Sequence, residues 1–256
     1  MICDTIHSAS DVLTTCIVII GIQLSCKESD KEHPYGHERL ECVAAIILSM
    51  ILFITGLFIA IDVFESLLSG RFQYLPLPDS FALVGACVSI IVKEIMYWYT
   101  RYYALIFDSP SLKADAWHHR SDSLSSIGAL VGILGSLMGY PMMDTLASFV
   151  IFIFIVKAAY DVFKDAINKM IDHSCDEDTQ KKIYDHVMCH QDVLGIDRFQ
   201  TRLFGNKIYV DIDIQVDAND TLLHAHSIAQ NVHDSIENEF SQVKHIMIHV
   251  NPAKDE

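Results

Sequence analysis

The chain has 256 residues, 51% hydrophobic and 20% charged, and a formal net charge of −15. That apolar share excludes a disordered chain or a collagen-like fibre. The excess of 33 acidic over 18 basic residues excludes a nucleic-acid backbone as partner, because that surface requires net Lys and Arg.

The average covers two unlike parts: a transmembrane part over residues 1–172 and a soluble, acidic one over 173–256. Apolar runs predict five membrane spans, about 5–25, 42–65, 81–105, 112–137 and 144–165. Cys42–Ile61 and Ser123–Met143 are free of charge over about 20 residues, enough to cross a hydrocarbon core as helix. The other runs carry isolated polar residues, and Lys93, Glu94 and Lys157 are read as interfacial or paired rather than as ligands. Gly128/Gly132 and Gly135/Gly139 suggest close helix contact or simple glycine tolerance. Five runs in succession weigh against the alternative of a soluble helical bundle.

Lys27, Lys31 and Arg39 lie in segment 26–41, and Arg101 and Lys113 in segment 101–113, whereas the alternate connections hold only Arg71. Short cytoplasmic loops collect basic residues. The first two segments and the tail are therefore expected in the cytoplasm, with Met1 opposite. The chain starts without the basic region of a signal peptide. In the tail, Asp176–His190 reads as a helix capped by Asp176. Gly195–Leu203 and Lys207–Val216 alternate as strands around a Phe204-Gly205-Asn206-Lys207 turn. Thr221–Phe240 is an amphipathic helix with Ile228, Val232, Ile236 and Phe240 on one face, and Val243–Asn251 is a last strand. The expected architecture is an α-helical multi-pass membrane domain followed by a small α+β, ferredoxin-like domain in the order α-β-β-α-β. The seven cysteines form no C-x-x-C pair and read as reduced packing residues.

Two helices carry the same pattern. Asp4-x-x-His7-x-x-Ser-Asp11 and Asp115-x-x-His118-x-x-Ser-Asp122 each set a His and an Asp four residues apart, on one helix face. Facing each other, such helices offer two imidazoles and two carboxylates, a set that tetrahedral Zn²⁺ accepts. Carboxylates at membrane depth need a strong partner, which a cation supplies. The loop Asp30-Lys-Glu-His33-Pro-Tyr-Gly-His37-Glu-Arg-Leu-Glu41 holds a second candidate set, Asp30, His33 and His37; the bland alternative is a solvated turn. His37-Glu38-Arg39-Leu40-Glu41 lacks the second His of a zinc-protease motif.

In this order, the HSASD helix, the DKEHPYGHERLE loop, the KADAWHHRSD helix and the α-β-β-α-β tail resemble the cation diffusion facilitator family. Within it they are most similar to the zinc-transporting, ferrous-iron-efflux-like bacterial branch, over essentially the whole chain. The resemblance implies a homodimeric antiporter in the lipid of the inner cell membrane, exchanging a cytoplasmic divalent metal for protons by alternating access. Zn²⁺ is the expected ion, with Cd²⁺, Fe²⁺, Co²⁺ or Mn²⁺ compatible by ligand type.

By this resemblance His7, Asp11, His118 and Asp122 match the transport site, and Asp30, His33 and His37 the loop site. Arg39 and Asp172 match an opposite-charge pair linking the two domains. In the tail, His226 and His249 match a dimer-bridging metal site at whose other positions stand Asp197, Asp213 and the poor ligand Asn251. His224, His186, His190, His233 and His245 read as surface residues. Relatives have six membrane helices, so the resemblance implies that the first is missing here. An enzyme is not expected: an intramembrane metalloenzyme needs an open coordination position and a general base. The rival reading is a non-transporting dimeric metal sensor or scaffold.

Overall fold

A computed structural model describes the backbone of residues 2–69, 80–138 and 142–253. Side chains are described within these from residue 12 onward, except 69, 80–86, 129, 132–134, 136, 137, 142 and 144. His7 and Asp11 therefore have a described backbone only, and Arg71 and Gly139 lie outside the described residues. The chain divides into two compact units, Met1–Ile167 and Asn168–Glu256.

The first unit is built from α1 (Ile2–Ser25), α2 (Arg39–Ser69), α3 (Ser80–Ile106), α4 (Pro110–Leu137) and α5 (Met142–Met170), the last running into the second unit. Helices of 24 to 31 residues reach about 36–46 Å at 1.5 Å per residue, longer than a hydrocarbon core. Each of the five expected spans falls inside one of them, whereas the charge-free run Ser123–Met143 extends past the end of α4 at Leu137. Among the described residues, α2 and α5 are apolar and long enough to cross a membrane by composition alone, and Val12–Ser25 is a shorter apolar stretch. Charged side chains such as Lys93, Glu94, Lys113 and Asp122 interrupt the apolar runs of α3 and α4.

Local chemistry sets the helix ends. Ser109 caps α4, its Oγ accepting from the Leu112 N–H at 3.2 Å, and Pro110 takes the first helical position, where no N–H is needed. Val18, Leu48, Ala114 and Val162 form one buried cluster tying α1, α2, α4 and α5; Leu52, Ile151, Ile155 and Ala158 form another. At Gly21 a Cβ would stand 2.5 Å from the Ala44 Cβ, so α1 and α2 meet there almost backbone to side chain. The outside is also apolar. Phe53, Phe58, Ile91, Ile95, Ile153 and Phe154 are exposed, as suits a lipid-facing surface.

In the second unit, α6 (Glu177–Met188) starts at Asp176, whose Oδ1 accepts the Thr179 N–H at 2.9 Å. Glu177 and Asp178 follow in its first turn, where the helix dipole favours negative charge. Strands β1 (Gly195–Phe204) and β2 (Lys207–Val216) pair antiparallel through a turn with Gly205 at φ 62°, a left-handed conformation that glycine adopts without strain. Helix α7 (Leu222–Glu239) then crosses to β3 (Val243–Pro252), which pairs parallel to β2. The sheet order is β1-β2-β3.

Strand alternation divides β2. Ile208, Val210, Ile212, Ile214 and Val216 are buried with Ile183, Val187, Ile228, Val232 and Ile236, and Phe240 packs at the edge of that core. Burying a side chain of the Ile212 kind contributes about 1.5–3 kcal/mol. Asp211, Asp213 and Gln215 alternate with the buried positions and so point to the other face, which the helices leave open.

Candidate metal centres

Helix α4 carries a polar stripe through an otherwise apolar unit. Asp115 and His119, and His118 and Asp122, each stand four residues apart on it, and all four are 6% exposed. His118 Nε2 lies 4.0 Å from Asp122 Oδ2, and His119 Nε2 lies 3.5 Å from Asp115 Oδ2. The His–Asp spacing thus yields two interleaved pairs, of which only the His118/Asp122 pair was singled out from the sequence. The signal for the other, Asp115 and His119 at the same four-residue spacing, was equally present.

The face of α3 that meets α4 is charged. Lys93 Nζ donates to Asp122 Oδ2 at 2.6 Å. One residue on, Glu94 accepts from Arg120 Nη1 and, at 2.9 Å, from Ser123 Oγ. The Arg120 guanidinium lies 4.7 Å from the centroid of the Tyr97 ring on α3, a cation–π contact. These opposite-sign pairs neutralise each other within the helix interface. Lys93 and Glu94 are therefore paired, as their place inside an apolar run required. The remaining transport-site residues of the sequence reading, His7 and Asp11, stand one turn apart on α1, and α1 meets α4 through Val18 and Ala114.

The loop before α2 gathers a second set. Ligand atoms of Asp30, His33 and His37 all lie within 4.8 Å of one another, the one such group of three among the described residues. Asp30 organises it. Its Oδ1 accepts the backbone N–H of His33 at 2.8 Å and of Glu32 at 3.0 Å, and Lys27 Nζ donates to its Oδ2 at 2.7 Å. Those donors hold the Asp30 carboxyl well below the usual carboxylate range, the Lys27 hydrogen bond contributing most and the His33 N–H next. His37 Nε2 stands 3.6 Å from Asp30 Oδ2, and the two imidazole centroids are 4.5 Å apart. Gly36, at φ 97°, turns the chain between the two histidines.

The two histidines differ in setting. His33 is exposed, whereas His37 is buried, with Nδ1 3.3 Å from the Lys27 carbonyl oxygen. With Nδ1 donating there, Nε2 keeps its lone pair toward Asp30 and is set to ligate a cation. One carboxylate and two imidazoles leave a fourth tetrahedral position open, as an exchangeable site needs. Four residues beyond His37, the buried Glu41 carboxylate accepts from Ser109 Oγ and, at 3.0 Å, from Ser111 Oγ. This ties the start of α2 to the cap of α4.

The tail residues lie on different layers. Asp213 and His249 are register partners on the open sheet face, as are Gln215 and Asn251. Asp197 stands at the β1 irregularity, accepting from Gln215 Nε2 and, at 2.8 Å, from Asn251 Nδ2. His226 is exposed on α7, which packs on the opposite side of the sheet. Within one chain these four do not form a convergent ligand group, among the described residues. Arg39 opens α2 in the first unit; Asp172, at φ 61°, sits in the turn after α5 in the second. The described cysteines 16, 26, 42, 87, 175 and 189 are free thiols.

Long helices, a buried stripe of ionisable ligand types and an appended α+β domain are the parts of a membrane protein that handles cations. Residues 1–171 match the cation efflux transmembrane domain, and residues 175–253 match the cytoplasmic domain of cation efflux proteins. The chain belongs to this family, the cation diffusion facilitators, whose members are membrane transporters with a cytoplasmic domain. It is 30% identical to the magnetosome protein MamB of Magnetospira sp., over 99% of this chain and 86% of that one. It is 29% identical to the manganese efflux system protein MneP of Bacillus subtilis, over 99% and 86%. It is also 32% identical to an uncharacterized transporter of Methanocaldococcus jannaschii, over 98% and 87%. A variant of the C-terminal domain of MamM aligns with 30% of this chain and 98% of its own, at 22% identity and a TM-score of 0.30.

Proposed function

We propose that the chain is a Zn²⁺ efflux transporter of the inner cell membrane, a homodimer that crosses the lipid with its five long helices and works as a metal/proton antiporter by alternating access. It is read as a carrier and not as an enzyme. The observation that carries the reading is the buried His118–Asp122 pair on α4, inside the stretch that matches the cation efflux transmembrane domain. Joined by His7 and Asp11 of α1, it gives two nitrogen and two carboxylate ligands, a set suited to Zn²⁺. The relative named for manganese efflux keeps Mn²⁺ as a competing cargo, with Fe²⁺, Cd²⁺ and Co²⁺ compatible by ligand type.

Proton coupling follows from the ligands themselves. An imidazole must be deprotonated to bind a metal, so protons arriving from the far side compete with the cargo and help to expel it. Asp30, His33 and His37 offer the cation a first, more exposed station on the cytoplasmic side. Asp197, Asp213, His226 and His249 would serve a regulatory site only where two copies bring them together.

The test is zinc uptake into proteoliposomes under an imposed pH gradient, with proton movement followed in parallel. Zn²⁺ flux coupled to opposite H⁺ flux is the expected result. Flux without proton counter-movement contradicts antiport, and zinc binding with no flux favours the sensor or scaffold.

A further inference from the structure

We infer that Lys93 is a built-in competitor for the cargo: its ammonium holds the Asp122 carboxylate, is displaced when a divalent cation binds there, and returns to help drive that cation off. The inference rests on reading Asp122 as a cargo ligand. Its geometric basis is the 2.6 Å contact between Lys93 Nζ and Asp122 Oδ2, with side chains only 17% and 5% exposed. In so dry a place an ammonium and a divalent cation at one carboxylate repel strongly, so the two occupy it in turn.

The neighbouring contacts show that Lys93 is not required as a staple. Arg120 and Ser123 hold Glu94, and Arg120 covers Tyr97, so α3 stays on α4 when the lysine lets go. The side chain suits exchange: a compact charge on a flexible four-carbon stem, without the fixed fork of arginine. A carrier needs a site favourable enough to fill and weak enough to empty. A tethered cation supplies the weakening without removing a ligand. It also gives the carboxylate a partner at each stage of the cycle, which a buried charge requires.

The test uses the full chain in detergent with His33→Ala and His37→Ala, which remove the loop ligands, and reads Zn²⁺ binding by equilibrium dialysis. Lys93→Gln removes the competitor and is expected to tighten Zn²⁺ binding about tenfold, the factor that 1.4 kcal/mol represents. Lys93→Arg forks onto the carboxylate more firmly and is expected to weaken binding below that of the lysine. In proteoliposomes, Lys93→Gln should lower KM for Zn²⁺ and also lower the maximal flux, because release slows. General structural damage would weaken binding in both variants, so the opposed order Gln tighter than Lys tighter than Arg is diagnostic. Unchanged or weaker binding in Lys93→Gln, or tighter binding in Lys93→Arg, overturns the inference. Asp122→Asn separates the layers. Lost binding there with no Lys93 order defeats the competitor alone, while wild-type binding in Asp122→Asn defeats the reading of Asp122 as ligand.

Discussion

Two aspartates in this chain hold a lysine at nearly the same distance. Lys27 Nζ sits 2.7 Å from Asp30 in the loop, and Lys93 Nζ sits 2.6 Å from Asp122 between helices. The contacts are alike and their surroundings are not. The loop side chains are 58% and 35% exposed, against 17% and 5% for the helix pair. In water an exposed ion pair is worth about 0–1 kcal/mol and its partners exchange freely. In a dry helix interface neither charge can be left alone without a cost of several kcal/mol. On the proposed reading, the same residue types serve as an accessible collecting point in the loop and as an exchange position on α4.

The largest effect that sharpens this comparison is on stability. Asp122→Ala strands the Lys93 ammonium and is expected to destabilise the helical unit by about 3–5 kcal/mol, read as a fall in thermal unfolding temperature. Adding Lys93→Gln to that variant removes the stranded charge and should recover most of the loss. An unchanged melting temperature in Asp122→Ala would mean that the pair is already hydrated, and the contrast with the loop would collapse.

A smaller effect separates the two loop histidines. His37 is buried and fixed through the Lys27 carbonyl, whereas His33 is exposed. His37→Ala should weaken Zn²⁺ binding at the loop by at least about tenfold, and more than His33→Ala does. Titrating Zn²⁺ into each variant in an Asp122→Asn background checks this; equal losses would show that the fixed imidazole has no advantage.

The smallest effect concerns acidity. Lys27 and the His33 N–H hold Asp30 well below the ordinary carboxylate value of about 3.9. A lowered carboxyl supports the loop above that ordinary value and loses its contribution only as pH falls through the lowered one. Between pH 7 and 5 Asp30 therefore stays charged. Lys27→Gln removes the largest cause and should bring the Asp30 titration, followed by carboxyl carbon NMR, back toward ordinary acidity, with folding stability little changed because the pair is exposed. An unmoved titration would show that the backbone donors hold the carboxylate unaided.

Much of this arrangement was legible in the chain because it is local. The apolar runs mark the five helices. Asp176 followed by acids marks the start of α6, Phe204–Lys207 marks the hairpin, and period-two alternation separates the buried and open faces of β2. Asp30, His33 and His37 were legible for the same reason, since eight residues and one glycine turn bring them together.

What periodicity does not carry is which helix meets which. Lys93 is 29 residues from Asp122, and Glu41 is 68 from Ser109. Only helix packing brings either pair into contact. Asp197, Asp213, His226 and His249 illustrate the converse. Their identities suggest a ligand set, and the sheet places His226 on one layer and Asp213 with His249 on the other.

The central claim is that the cargo passes through Asp122 and is only collected at Asp30. Zinc flux into proteoliposomes containing Asp122→Ala and, separately, Asp30→Ala tests it most directly, with protein incorporation matched to wild type. The account predicts no flux above empty vesicles for Asp122→Ala and retained flux with a raised KM for Asp30→Ala. Wild-type flux in Asp122→Ala would contradict it.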